Sequence, residues 1–153
     1  MTEFEIVRSL LLRIAGDIPA SSTLAKAVLE WAQPHRHWLL PASASEAADE
    51  VGWGALLNGI ALPRADVTRP QVLELADALA RQLALAPVDA GLLRLMVACD
   101  RLPRVGALAE LADQHGLDLP LLLAELAGAP QHEAERVARR SAVTRLGLAS
   151  FAA

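Results

Sequence analysis

The sequence predicts an all-α protein, a multi-helix orthogonal bundle, and three observations lead to that prediction. Leucine and alanine dominate the apolar residues, valine and isoleucine are scarce, and aromatic residues make up only 3% of the chain. This composition favours helices over strands. Apolar residues recur at helical spacing between prolines, glycines and serines that divide the chain into segments of helical length. The hydrophobic fraction of 54% supplies ample material for a folded core.

The first predicted lobe comprises residues 1–60 and contains three helices. Thr2 is suited to cap the first helix, which we expect to run to about Ala15. Pro34 ends the second helix, because proline lacks the N–H that would continue it. The third helix is expected over about 46–58, where an Asn-Gly pair follows its apolar residues.

Residues 61–69 form a predicted connector, and residues 70–153 form a second lobe. The pattern leaves open whether the two lobes pack as one domain. The second lobe begins with a helix whose apolar period includes Leu75 and Leu79. Its last segment, residues 141–153, has no convincing helical face, so we predict a short C-terminal strand there.

The centre of the second lobe has the spacing of a helix-turn-helix. Two helices, at about 104–115 and 118–127, flank Gly116, which tolerates the positive φ that a tight turn needs. Ala112 is the small side chain expected where the two helices cross. With the preceding helix, which begins at Pro87, they form a predicted tri-helical unit.

A unit of this kind usually suggests DNA binding, but the predicted outer face of its second helix is acidic and apolar. Asp118, Leu121 and Glu125 make up that face. None of them offers the donors with which a reading helix contacts base edges, and the two acids would repel phosphates. We therefore predict that this face contacts a protein and that nucleic acid is not the partner. A stand-alone helix-turn-helix regulator that binds DNA is the alternative.

A basic cluster follows the helix-turn-helix, made of Arg136, Arg139, Arg140 and Arg145. On a helix, Arg136 and Arg140 share a face, and Glu133 can pair with Arg136 across three residues. The cluster is open to two interpretations. It is a solvated helix face, or it contacts an acidic partner surface or the phosphates of a nucleotide.

No motif in the sequence carries recognisable catalytic or metal chemistry. The chain has no G-x-x-x-x-G-K-[ST] phosphate loop, and its one lysine, Lys26, lies in an unrelated context. His35 and His37 have no further ligands at zinc-like spacing. Cys99 lies in an apolar run that would keep its thiol inert. We expect no metal, no cofactor and no catalysis in this chain alone, with a small helical enzyme lacking known motifs as a third alternative.

The net charge and the cysteine content limit which partners and which cellular compartment fit this chain. The net charge of −4 gives no general attraction to nucleic acid or to an anionic membrane. A single cysteine excludes an internal disulfide and fits a reducing compartment. Glu3 and Glu5 stand where a signal peptide would be basic, and no apolar run has the roughly 20 residues of a membrane span. We expect a cytoplasmic protein with no membrane partner, and self-association stays open.

Several positions of the second lobe form a further pattern around the predicted tri-helical unit. A helix start contains Leu85 and Pro87, and an Asp-x-x-x-Arg element contains Asp100 and Arg104. A Leu-Gly-Leu sequence, Leu146, Gly147 and Leu148, follows the arginine-rich segment. With these residues, the segment 85–148 resembles the region that precedes the ATPase module in a group of bacterial AAA+ ATPases.

The resemblance implies a winged-helix-like, non-catalytic N-terminal domain that docks a protein partner or its own ATPase module. It also implies that the parent protein binds ATP and Mg²⁺. This chain departs from a complete ATPase because it has neither a phosphate loop nor a Walker B acid pair. Under this interpretation, ATP hydrolysis belongs to residues outside the chain.

Overall fold

A computed structural model describes residues 2–41, 52–62, 69–130 and 132–140 of the chain. Within these ranges, the side chains of Asp17 and Arg140 are not described. Within these ranges the backbone forms helices and connections without a strand, which confirms the all-α multi-helix bundle. No helix in them is long and apolar enough to cross a membrane. The predicted C-terminal strand, at 141–153, lies outside the described residues.

The helices of the described ranges are numbered here in chain order. They are α1 (Glu3–Asp17), α2 (Thr23–Ala32), α3 (Arg36–Leu39), α4 (Trp53–Ala61), α5 (Gln71–Gln82), α6 (Pro87–Arg101), α7 (Pro103–Gln114), α8 (Leu119–Leu126) and α9 (Ala134–Arg140). A 3-10 turn, Gln33–His35, joins α2 to α3.

Side-chain caps fix where the first two helices begin. The Thr2 hydroxyl accepts a hydrogen bond from the Glu5 backbone N–H at 3.2 Å, as predicted. Ser22 caps α2, because its hydroxyl accepts from the Ala25 N–H at 3.1 Å. Each cap satisfies one N–H group that the first turn of a helix leaves without an intrahelical partner.

The third helix differs from the prediction at both ends. Gly52 is extended, with φ −85° and ψ 164°, so a continuous helix over 46–58 is wrong and α4 begins at Trp53. At the other end, α4 passes through Gly59 and ends at Ala61. Gly59 is buried, and a Cβ there would lie 2.1 Å from Cδ2 of Leu40. Close packing on Leu40, and not the end of the helix, therefore explains this glycine.

A single residue separates α6 from α7. The sequence predicts a four-residue turn over 100–103, but α6 continues to Arg101 and Pro103 is already the first residue of α7. Only Leu102, with φ −103° and ψ 112°, is extended. Proline is well tolerated at the first position of a helix because the N–H it lacks has no partner there.

One cluster of buried side chains contains residues from both predicted lobes. Leu10 of α1, Val28 of α2, Leu56 of α4, Leu92 of α6 and Leu108 of α7 all belong to it and are 0% exposed. Helices α1 and α2 pack on α7, whereas α5 packs chiefly on α6. This arrangement places the turn before α8 next to α1.

Candidate functional site

The three residues of the predicted docking face line one surface pocket, which we call the α8 pocket. It has a volume of about 210 Å³. Its lining consists of Arg13 from α1 together with Gly116, Leu117, Asp118, Leu121, Leu122 and Glu125. Leucine side chains, two carboxylates and one guanidinium therefore meet around a single opening.

The turn between α7 and α8 shapes one side of the α8 pocket. Gly116 has φ +87°, a conformation that suits glycine because it has no Cβ. The Leu117 N–H donates to the Ala112 carbonyl oxygen at 3.0 Å. Asp118 then caps α8, since its Oδ1 accepts from the Leu121 N–H at 3.2 Å. The carboxylate of Asp118 is exposed, and this cap holds it at the entrance of the helix.

Glu125 forms an ion pair with Arg13 that joins α8 to α1. Arg13 Nε donates to Glu125 Oε2 at 2.9 Å, and Arg13 Nη2 also contacts this oxygen. The side chains are 12% exposed for Glu125 and 32% exposed for Arg13. Glu125 is therefore a structural acid at the edge of the pocket, paired with the guanidinium of Arg13. Arg13 could not be found from the sequence, because 112 residues separate the partners and local spacing carries no sign of the pair.

Leu121 lies between the α8 pocket and a small satellite cluster. It is half-buried and packs against the cluster formed by Ala124, Ala129, Ala134 and Ala138. Helix α9 supplies the last two of these alanines, so it covers part of α8. The predicted outer face is consequently shared between the pocket and an internal helix contact.

The basic cluster forms local ion pairs and does not line the α8 pocket where it is described. The predicted pair is present, with Arg136 Nη2 at 3.5 Å from Glu133 Oε1. Arg139 Nη2 lies 2.9 Å from Glu135 Oε1. Both arginines are exposed and each faces an acid of its own helix or turn. Arg145 and the side chain of Arg140 lie outside the described residues.

His35 and Cys99, considered as candidate reactive groups, are partly buried among other side chains. Burial and, to a smaller degree, Arg104 lower the pKa of His35, whose ring lies 5.3 Å from that of Trp31. Burial raises the pKa of the Cys99 thiol to about 11, which keeps it protonated at neutral pH. Within the described ranges, no three His, Cys, Asp or Glu side chains are grouped as metal ligands would be.

The Asp-x-x-x-Arg element also has identifiable contacts. Arg104 lies over the ring of Trp38, 4.2 Å from its centroid, and its Nη1 is 3.4 Å from Glu3 Oε2. It thus ties the start of α7 to α1 and α3 through a cation–π contact and an ion pair. Asp100 is exposed and contacts the neighbouring Arg101 at 3.0 Å.

Substitution of Glu125 by glutamine tests the ion pair beneath the α8 pocket. We expect Glu125→Gln to lower the free energy of unfolding by about 1–2 kcal/mol, because glutamine offers Arg13 only a neutral acceptor in place of a largely buried carboxylate. The matched control is Glu110→Gln, since Glu110 is exposed and accepts a surface hydrogen bond from Gln114. Urea denaturation of both variants is the measurement. Equal midpoints for the two would contradict a stabilising role for the pair.

Comparison with known proteins returned no match among family models, curated proteins or solved structures. The α8 pocket and the residues of the sequence are therefore the basis for inferring function.

Proposed function

We propose that this chain is the helical, non-catalytic N-terminal domain of an AAA+ ATPase and that it docks a protein, either a partner or its own ATPase module. The observation that carries the docking proposal is the convergence of Asp118, Leu121 and Glu125 on the α8 pocket. A surface opening that combines leucine side chains with fixed charged groups offers both apolar contact and charge to a side chain of another molecule. The exposed Asp118 at its entrance would favour a partner that presents a cation beside an apolar residue.

The surroundings of α8 favour a protein partner over the DNA alternative. A reading helix needs a free face that enters the major groove and presents donors to the bases. Helices α1, α6 and α9 all pack on α8, and Glu125 is engaged by Arg13. What α8 leaves open is the pocket with the exposed carboxylate of Asp118, which phosphate groups would avoid.

The AAA+ part of the proposal rests on the resemblance over 85–148 and on the absence of a phosphate loop from this sequence. ATP and Mg²⁺ would be bound by a module outside the chain, in the cytoplasm. The decisive experiment is to read the gene beyond the codon for Ala153. We expect an in-frame phosphate-loop motif followed by a Walker B acid pair. A stop codon directly after Ala153 would overturn the AAA+ proposal.

Docking is tested separately with the ATPase module that this reading frame encodes. The module and this chain are produced as two separate proteins. We expect calorimetry to show that they bind each other, or that both bind the same third protein. Leu121→Arg should weaken that binding, whereas Leu62→Arg changes an exposed leucine outside the pocket and should not. Equal effects of the two substitutions would contradict docking at the α8 pocket. Salt-sensitive binding of random duplex DNA by the chain would support the regulator instead.

A further inference from the structure

Helix α5 has an apolar side that the rest of the described chain leaves exposed. It packs on α6 through Leu73, Ala76 and Ala80, which are buried. Leu75 and Leu79 are instead 62% and 37% exposed. Isolated surface leucines are ordinary, but these two are one turn apart on the same helix and therefore adjacent.

The exposed side of α5 has two different edges. At about 100° per residue, Leu75 and Leu79 lie along one edge, and Glu74 and Arg81 lie along the opposite edge. Ala78 lies on the line between them and is exposed. A small residue in the middle of a helix surface allows a second helix to approach closely.

The two charges on this side have no partners among the residues that the structure describes. Glu74 and Arg81 are both exposed, and neither takes part in an ion pair or hydrogen bond with the described residues. Seven residues separate them, which is about 10.5 Å along the helix axis and too far for direct pairing. The neighbouring Asp77 is different, because it binds Arg94 Nε at 2.7 Å.

We propose that this side of α5 binds the same side of α5 in a second copy of the chain, with the two helices antiparallel. A two-fold axis perpendicular to the helices places leucine edge on leucine edge, so that Leu75 of each copy faces Leu79 of the other. The same axis places Glu74 of each copy beside Arg81 of the other and forms two identical ion pairs. The pairs and the leucine contacts share nearly the same centre, close to Ala78.

Charge complementarity selects this arrangement over the parallel one. A two-fold axis parallel to the helices would place the leucine edge of each copy against the charged edge of the other. That packing buries Glu74 and Arg81 against leucines without a compensating charge, which is costly. Only the antiparallel dimer satisfies both edges, and it does so with residues on about two turns of one helix.

The dimer is expected to be weak and to depend on concentration. Stable interfaces bury about 1,600 Å² in total, and a pair of short helices buries less than that. This self-association is independent of the docking proposed for the α8 pocket, because α5 contributes no residue to that pocket.

Sedimentation velocity over a series of concentrations tests the proposal with the whole chain. We expect reversible dimers, and we expect Ala78→Arg to abolish them because it places a charge at the centre of the contact. Glu110→Arg is the matched control, since it introduces a positive charge on the exposed surface of α7. Circular dichroism of each variant verifies that the helices remain folded.

A charge exchange tests the antiparallel geometry itself. Glu74→Arg alone converts each of the two intermolecular ion pairs into a pair of facing arginines. It should therefore raise the dimer Kd about tenfold. The double variant Glu74→Arg, Arg81→Glu exchanges the two charges and should restore the wild-type Kd. A monomer at every concentration overturns the proposal. So does a dimer that Ala78→Arg leaves intact, or one that the exchange fails to restore.

Discussion

Replacement of Leu108 by alanine is expected to lower the free energy of unfolding by about 2–5 kcal/mol, the largest effect we predict for a single substitution. Leu108 is 0% exposed and belongs to the cluster shared by both predicted lobes. It lies on α7, which packs against α1, α2 and α6. The loss combines the transfer of three carbon atoms out of the core with a cavity that four helices cannot readily close.

The same chemical deletion at an exposed position serves as the control. Leu75→Ala removes the same atoms from a side chain that is 62% exposed, so we expect a change within about 0.5 kcal/mol. Both variants are compared by urea denaturation at a low protein concentration, where the proposed dimer is dissociated. Similar midpoints for Leu108→Ala and wild type would show that α7 does not face the core through this residue.

Gly106→Val is expected to lower the free energy of unfolding by about 1–3 kcal/mol, the second large effect we predict, because it overpacks the contact between α6 and α7. A Cβ at Gly106 would lie 2.6 Å from the carbonyl oxygen of Cys99, which belongs to the backbone of α6. Because backbone cannot rotate away as a side chain can, α6 and α7 would have to move apart. Thermal or urea denaturation of the variant measures the loss.

Gly54→Ala is expected to raise the free energy of unfolding and serves as the comparison. Gly54 is exposed in α4, and a Cβ there would meet no atom within 4 Å. Alanine reduces the conformational entropy of the unfolded chain, so this variant should gain about 0.4–1 kcal/mol. A gain in stability for Gly106→Val as well would contradict the close approach of α6 and α7.

The sequence was sufficient for features that depend on local chemistry. Thr2 caps its helix as predicted, because an N-cap is determined by one side chain and an N–H three residues later. Asp118, Leu121 and Glu125 recur at helical spacing and line one pocket, whereas their role in docking a partner stays a prediction. Both predictions use only residues within two turns of each other.

Features that depend on distant residues could not be predicted in this way. The partner of Glu125 is Arg13, at the other end of the chain, and no periodicity links them. Leu75 has the same apolar spacing as buried residues of α5, yet it is exposed because α6 covers only the neighbouring part of the helix. Periodicity shows which side of a helix is apolar, but which part of that side is covered depends on how many helices pack there.

The single residue between α6 and α7 limits where this chain can change in length. Leu102 is half-buried, its N–H donates to Ala98, and its carbonyl oxygen accepts from Gly106. Inserted residues are tolerated where backbone is exposed and free of such bonds, so an insertion here would break the packed corner. The turn at Ala84 also has backbone hydrogen bonds, from the Ala84 N–H to the Arg81 carbonyl oxygen and from the Leu85 N–H to that of Ala80. Because residues 81–84 are exposed, it is still the better place for a peptide tag or a spectroscopic label. During evolution, too, additions to the α5–α7 region would be expected to accumulate at Ala84 and not at Leu102.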